Sequence, residues 1–297
     1  MKKMKKIIII LIAAMSSVYV SAQALHEFSV YGSGGFSTLS YQLSQGDRTG
    51  GAGGELGLGY TLFFTKERVT ATGKIFHQNW GIYTGLGFGF YNANAKLDDV
   101  KTVTEKLNDG EATFNEFELR TTLSGYKEDQ KAVYLNIPVM ANFQFEQIYL
   151  LGGFKFGVPV GGKYKSKDAT LTNIAYYPEL GVELETQKFA GYGIFPQNSS
   201  DGKLKHNITV MLALESGYNW YINEHFSLYT GVYFDCGLNN VSQDDKKSFI
   251  NYDSGSAENF TTNSVLSSYQ DNKQLSVFSE KVRVMAIGVK VRLAYIK

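Results

Sequence analysis

Residues 80–91 read WGIYTGLGFGFY, and the fold turns on how that alternation is read. Trp80, Ile82, Leu86, Phe88 and Phe90 recur at every second position, interrupted only by Thr84. Between them stand Gly81, Tyr83, Gly85, Gly87, Gly89 and Tyr91. A period of two is the mark of a strand whose faces differ. Glycine weakens a strand interior, so a sheet with one solvated face has little reason to concentrate it there. If the apolar face meets lipid instead, the glycines line a cramped interior. They then leave room for longer side chains from other strands.

The same alternation recurs along the chain. It runs through residues 28–36, 54–64, 80–90, 133–145, 148–160, 208–220, 226–238 and 285–295. Segment 133–145 carries Val133, Leu135, Ile137, Val139, Ala141, Phe143 and Phe145 on one side, and Tyr134, Asn136, Asn142 and Gln144 on the other. Segment 285–295 sets Met285, Ile287, Val289, Val291, Leu293 and Tyr295 against Gly288, Lys290 and Arg292. Strands of this length and pattern match tilted membrane-spanning β-strands. The gaps add a second signal. Two are very short, Glu146-Gln147 and residues 221–225, while 91–132, 161–207 and 239–284 are long. Outer-membrane barrels have short periplasmic turns and long outer loops. The gap 65–79 is long for a turn.

These observations predict an all-β fold: an antiparallel, up-and-down transmembrane β-barrel of eight strands with long extracellular loops. A ten-stranded barrel results if a loop hairpin descends into the membrane. A soluble sandwich also alternates, but its polar face is rich in charge and here it is rich in glycine. Aromatic residues gather near strand ends at Tyr60, Trp80, Phe145, Tyr218, Trp220 and Tyr295, the arrangement of an interfacial girdle. Asn108-Asp109-Gly110 marks a hairpin in the long gap before residue 133. The Ser/Asn-rich stretch 254–268 reads as the most mobile loop.

Composition supports this. Of 297 residues, 20 are Tyr, 20 are Phe and 31 are Gly, a mixture poor in helix formers. Lys2, Lys3, Lys5 and Lys6 precede the short apolar run from Ile7 to Met15, and Val20-Ser21-Ala22 offers small residues for cleavage. That pattern predicts a secretory signal peptide over 1–22, cleaved after Ala22, and one barrel domain over 23–297. Removing those lysines takes the formal charge from +1 to −3, so a nucleic-acid footprint is not expected. The single cysteine, Cys236, cannot form an internal disulfide.

The candidate site is the interior. Glu55, Glu215 and Asp235 face the same side as Lys155, Lys290 and Arg292, three acids against three bases. Isolated charges in a narrow lumen are expensive, so these six are expected to pair and plug it; a gated path is the alternative. No catalytic residue, metal ligand or cofactor is predicted. Of His26, His77, His206 and His225, only His206 falls near the outer rim, beside Ser199, Ser200 and Asp201. Asp98-Asp99 and Asp244-Asp245 lack the spacing of a calcium loop.

The run Val133-Tyr-Leu-Asn-Ile-Pro-Val139, with 141–145 and the glycine-rich 148–157, resembles the PorT-like outer-membrane β-barrel family. Gly54-Glu-Leu-Gly-Leu-Gly-Tyr60 is similar to it as well. The architecture is that of OmpA- and OmpX-like barrels, though no motif of theirs is matched. The resemblance implies the outer membrane of a Gram-negative-type cell, and some relatives assist secretion machinery. The expected function is non-enzymatic: a structural or surface-interaction barrel, with an accessory subunit of an envelope secretion or assembly system, or a small pore, as alternatives. Expected partners are outer-membrane lipids, lipopolysaccharide and an envelope or extracellular protein. The barrel is expected to be a monomer.

Overall fold

The computed structural model describes residues 24–69, 75–108, 116–196, 199–243, 245–253, 256–271 and 276–297. The expected signal peptide lies outside them, as do Asp109, Gly110 and Asp244.

The chain is almost all β. Its longest strands are β1 (Ala24–Leu43), β2 (Asp47–Val69), β3 (Ile75–Leu97), β4 (Tyr126–Phe145), β5 (Ile148–Lys167), β6 (Thr209–Tyr221), β7 (Phe226–Gly237) and β8 (Ser279–Ile296). Each alternating run falls within one of these or overruns its end by one residue. Each chain neighbour pairs antiparallel with the next, from β1–β2 through β7–β8, and β8 pairs back onto β1 at Phe28↔Tyr295 and Gly34↔Val289.

Several strands run beyond the alternating segments at the loop end. Their polarity inverts there. In β3, Phe88 and Phe90 point outward and are exposed; a few residues later Ala93, Ala95 and Leu97 point inward and are buried, with Asn94 and Lys96 outside. In β8, Val289 and Val291 are exposed with Lys290 buried between them, whereas above them Val282 and Val284 are buried and Lys281 and Arg283 exposed. β4 inverts likewise between Val139 and Lys131. The lower part is apolar outside and polar inside; the upper part is an ordinary water-facing sheet around an apolar core.

That upper core is completed by the last long connection. Phe249, Phe260, Val265, Leu266 and Phe278 pack with Leu39, Leu97, Tyr126, Tyr134, Val282 and Val284. The expectation of a mobile 254–268 is therefore corrected for 260–268, where Phe260, Thr262, Ser264, Val265 and Leu266 are buried. Its polar residues are used up in local bonds: Ser268 Oγ donates to Ser264 O at 2.7 Å, and Asn263 Nδ2 to Ser248 O at 2.7 Å.

Beyond the long strands, Val100–Asn108, Glu116–Ser124, Thr170–Tyr177, Val182–Leu184 and Gly193–Pro196 form a second, five-stranded sheet, whose Val100, Leu123, Leu171 and Phe195 belong to the upper core. Ser200–Lys203 pairs with the upper end of β5, an edge that β6 leaves open by starting only at Thr209. β1 and β2 close tightly over Ser44–Gly46, where Gly46 takes φ 85. The ladder from β4 to β3 skips Ile137 and Pro138, since proline offers no N–H, while the bulge lies at Val133/Tyr134 on the β5 side.

Candidate functional site: the charged interior

The lower interior is layered. Glu55 on β2 accepts from Tyr31 Oη at 2.5 Å through one carboxylate oxygen. Its other oxygen accepts from Asn136 Nδ2 at 2.6 Å and Lys155 Nζ at 3.2 Å. Lys155 on β5 also reaches Asp235 Oδ2 on β7 at 2.6 Å. One ammonium thus joins two carboxylates from strands that do not pair with each other. All three residues are buried. A charge taken from water is stabilised only by such partners and by hydrogen bonds to its remaining lone pairs.

The next layer holds Lys290 on β8, bonded to Glu215 Oε2 on β6 at 2.7 Å. Tyr149 Oη donates to the other Glu215 oxygen at 3.0 Å. Lys290 also sits 4.2 Å from the Tyr31 ring centroid.

Arg292 is different. It is 0% exposed, and its guanidinium nitrogens have no hydrogen-bond partner among the described residues. It lies over three tyrosine rings, 4.1 Å from Tyr229, 5.1 Å from Tyr83 and 5.5 Å from Tyr149. Cation–π attraction is strongest where water is excluded, and here it stands in for ion pairing. The structure so brings five of the six predicted charges into two bonded groups and sets the sixth in an aromatic cage.

Sequence reasoning missed Glu27 and the tyrosines. Glu27 is 0% exposed and accepts from Thr61 Oγ1 at 3.0 Å and Tyr229 Oη at 2.6 Å. It shares the parity of Tyr31 but precedes the first alternating residue, Phe28. Continuing the inward parity two residues before Ser29 would have found it. The glycines of β3 take their place here. A Cβ at Gly87 would overlap the Tyr31 hydroxyl and the Glu55 carboxylate, and one at Gly89 would meet Asn136 and Tyr91.

The aromatics Tyr60, Trp80, Phe145, Tyr218, Trp220 and Tyr295 all sit in the half nearer the short turns. Trp80 packs tilted against Phe64 at 5.0 Å, Tyr218 against Trp220 at 4.6 Å, and Tyr295 against Phe226 at 5.4 Å. The exposed rings of the loop-side rim are Phe36, Phe90 and Phe156.

His206 lies above the apolar outer band. It is buried, tilted against Tyr134 at 6.2 Å, and bridges Ser242 through the backbone. Burial lowers its pKa to about 4. Its Nε2 has no hydrogen-bond partner among the described residues. It borders an outward-opening cavity of about 320 Å³ that Lys203, Lys247, Asn263 and Ser267 also line. Ser200, its expected neighbour, is instead engaged by the Thr262 amide at 3.1 Å. Asp98 is exposed and pairs with Lys96 at 3.3 Å. Above the interior charges, Glu128 is buried under the last connection. It accepts from the Val265 amide at 2.9 Å, Tyr126 Oη at 2.7 Å, Gln130 Nε2 at 2.9 Å, and the Ser264 hydroxyl.

The family model for an outer membrane protein beta-barrel domain matches residues 22–243. No curated protein matches the chain.

Proposed function

The chain belongs to the outer membrane protein beta-barrel domain family, and from that premise we propose a non-enzymatic, closed eight-stranded barrel with a side-chain-plugged lumen. The barrel carries external loops as an interaction surface. The circuit of strand pairs from β1 to β8 and back supports the eight-stranded closure. The observation that carries the blocked lumen is the Glu55–Lys155–Asp235 cluster. The space left among it and its neighbours is about 10 Å³, room for about one water. The apolar core above it adds a second obstruction. The chain is exported by a signal peptide cleaved after Ala22 and acts as a monomer surrounded by outer-membrane lipid and lipopolysaccharide.

The test is conductance in planar bilayers. No unit conductance is expected from the folded protein. A steady conductance that changes with Lys290→Gln or Arg292→Gln would replace this reading by a small pore. Protease applied to intact cells should cleave within 98–125 or 168–208, where the loops emerge.

A second reading has its own support. Leu180, Val182, Phe189 and Ile194 are exposed around the outer sheet, and Phe189 is 85% exposed. Exposed apolar side chains on this sheet and its connections suit a protein partner. This favours the PorT-like role of accessory subunit in an envelope secretion or assembly system. Crosslinking in native membranes from residue 189 should then capture an envelope protein, and deleting the gene should impair export. Unimpaired export would leave display as the function.

A further inference from the structure

The outward face above the apolar band carries an uncompensated row of lysines. Lys131 on β4, Lys163 on β5 and Lys203 on the short strand Ser200–Lys203 stand directly opposite one another, as Lys131↔Lys163 and Lys163↔Lys203. All three are exposed. Neighbouring strands lie about 4.8 Å apart, and like charges directly opposite are destabilising. The fourth member of the row, on β3, is Asn92. The row holds no acid.

The two rows above are built differently. The next runs Asn94, Asp129, Lys165 and Asp201, so its one lysine is flanked by two carboxylates. The one above it holds Lys96, Lys127 and Lys167, each with a nearby acid: Asp98 at 3.3 Å, Asp168 at 3.4 Å and Asp129 at 3.9 Å. Among the described residues, Lys131, Lys163 and Lys203 have no ion pair. Only the row nearest the membrane lacks its own counter-charge.

Its height explains what supplies one. Lys131 is a single outward step above Val133, about 7 Å along the strand, and Val133 pairs with Gly161 beside the exposed Val160. The exposed apolar side chains of these strands end there, which on the membrane-barrel reading is the level of the lipid headgroups. Resting on the membrane-barrel reading, we propose that Lys131, Lys163 and Lys203 bind the headgroup phosphates of an anionic outer-leaflet glycolipid. The row takes the lipid as a laterally bound neighbour of the wall, outside the lumen. A phosphate between adjacent lysines removes the repulsion that the fold leaves standing, and each lysine near an anionic surface adds attraction.

The test uses the full chain in nanodiscs of phosphatidylcholine with a small fraction of a phosphorylated diglucosamine glycolipid, and native mass spectrometry to count what is retained. The triple variant K131Q/K163Q/K203Q should retain the glycolipid about a hundredfold more weakly than wild type. The control K96Q/K127Q/K167Q should keep most of it, and the dephosphorylated glycolipid should not be selected. Equal losses in both triples, or no loss in the first, overturn the proposal. Displacement by millimolar inorganic phosphate overturns the lipid assignment. All six substitutions are at exposed positions, and heat-shifted gel mobility checks folding. A protein that inserts and shifts normally but selects no glycolipid sinks this inference alone; one extractable as a soluble protein sinks the barrel reading itself.

Discussion

The lower and upper halves of β3 have the same period and opposite polarity. From Trp80 to Phe90 the large apolar side chains face out and glycines face in; from Tyr91 to Leu97 the apolar side chains face in and Asn94 and Lys96 face out. Pairing to β4 continues unbroken from Phe90↔Val133 to Leu97↔Tyr126, while the β2 side shifts register between Gly50 and Gly54. The solvent changes. In hydrocarbon the wall is stabilised by an apolar exterior, and its few interior charges must satisfy one another. In water the ordinary hydrophobic effect returns and collects Leu97, Tyr126, Val282 and Leu266 inside.

That contrast can be broken from either end. Lys155→Met leaves Glu55 and Asp235 buried without their shared cation, and should cost about 3–5 kcal/mol. It is read as a lower urea midpoint for the heat-shifted band in micelles. An unchanged midpoint would show that the lower interior is not held by charge pairing. In the upper half the corresponding loss is apolar. Leu266→Ala should weaken packing of the last connection by about 2–5 kcal/mol through cavity formation. Protease should then cut between 245 and 270 in Leu266→Ala while the wall strands stay intact; cleavage equal to wild type would refute the apolar core.

A matched pair locates the boundary itself. Leu58→Arg on the lower outer face should cost about 2–4 kcal/mol if that face meets mid-bilayer lipid. Asn94→Arg on the upper outer face should change stability by less than about 0.5 kcal/mol. Equal effects would mean the two faces share one solvent.

A further effect is pH-dependent and confined to the upper half. His206 is neutral when packed, with its pKa lowered from 6.5 to about 4 by burial. An opened segment binds a proton between those values and the packed one does not, so packing weakens as pH falls from about 6.5 to about 4. The loss is at most about 3 kcal/mol. Glu128 works in the opposite sense, because burial raises its pKa and protonation then favours the packed state. The readout is the difference between wild type and His206→Gln in protease sensitivity near residues 199–208. Parallel pH profiles would exclude the histidine.

The alternating runs give the membrane-facing part of each long strand and the inward parity of Glu55, Lys155, Glu215, Asp235, Lys290 and Arg292. They do not give the strand ends at the outer side, because the search for alternation looked for one polarity and the outer extensions carry the other. Glu27 has the expected polarity and escaped because it stands one residue before the alternation begins at Phe28. The burial of 260–268 was invisible because its serines and asparagines read as solvent-seeking. Their polar groups are instead spent on turn hydrogen bonds and on Glu128.

The sequence by itself determined which side of each strand faces which environment, since a two-residue period and a choice of solvent fix that locally. Only the tertiary structure decided who meets whom across the interior: that Lys155 joins Glu55 to Asp235, that Arg292 rests on three tyrosines, and that Lys131, Lys163 and Lys203 line up. Those contacts depend on the register and stagger between strands distant in the chain, which no local period encodes.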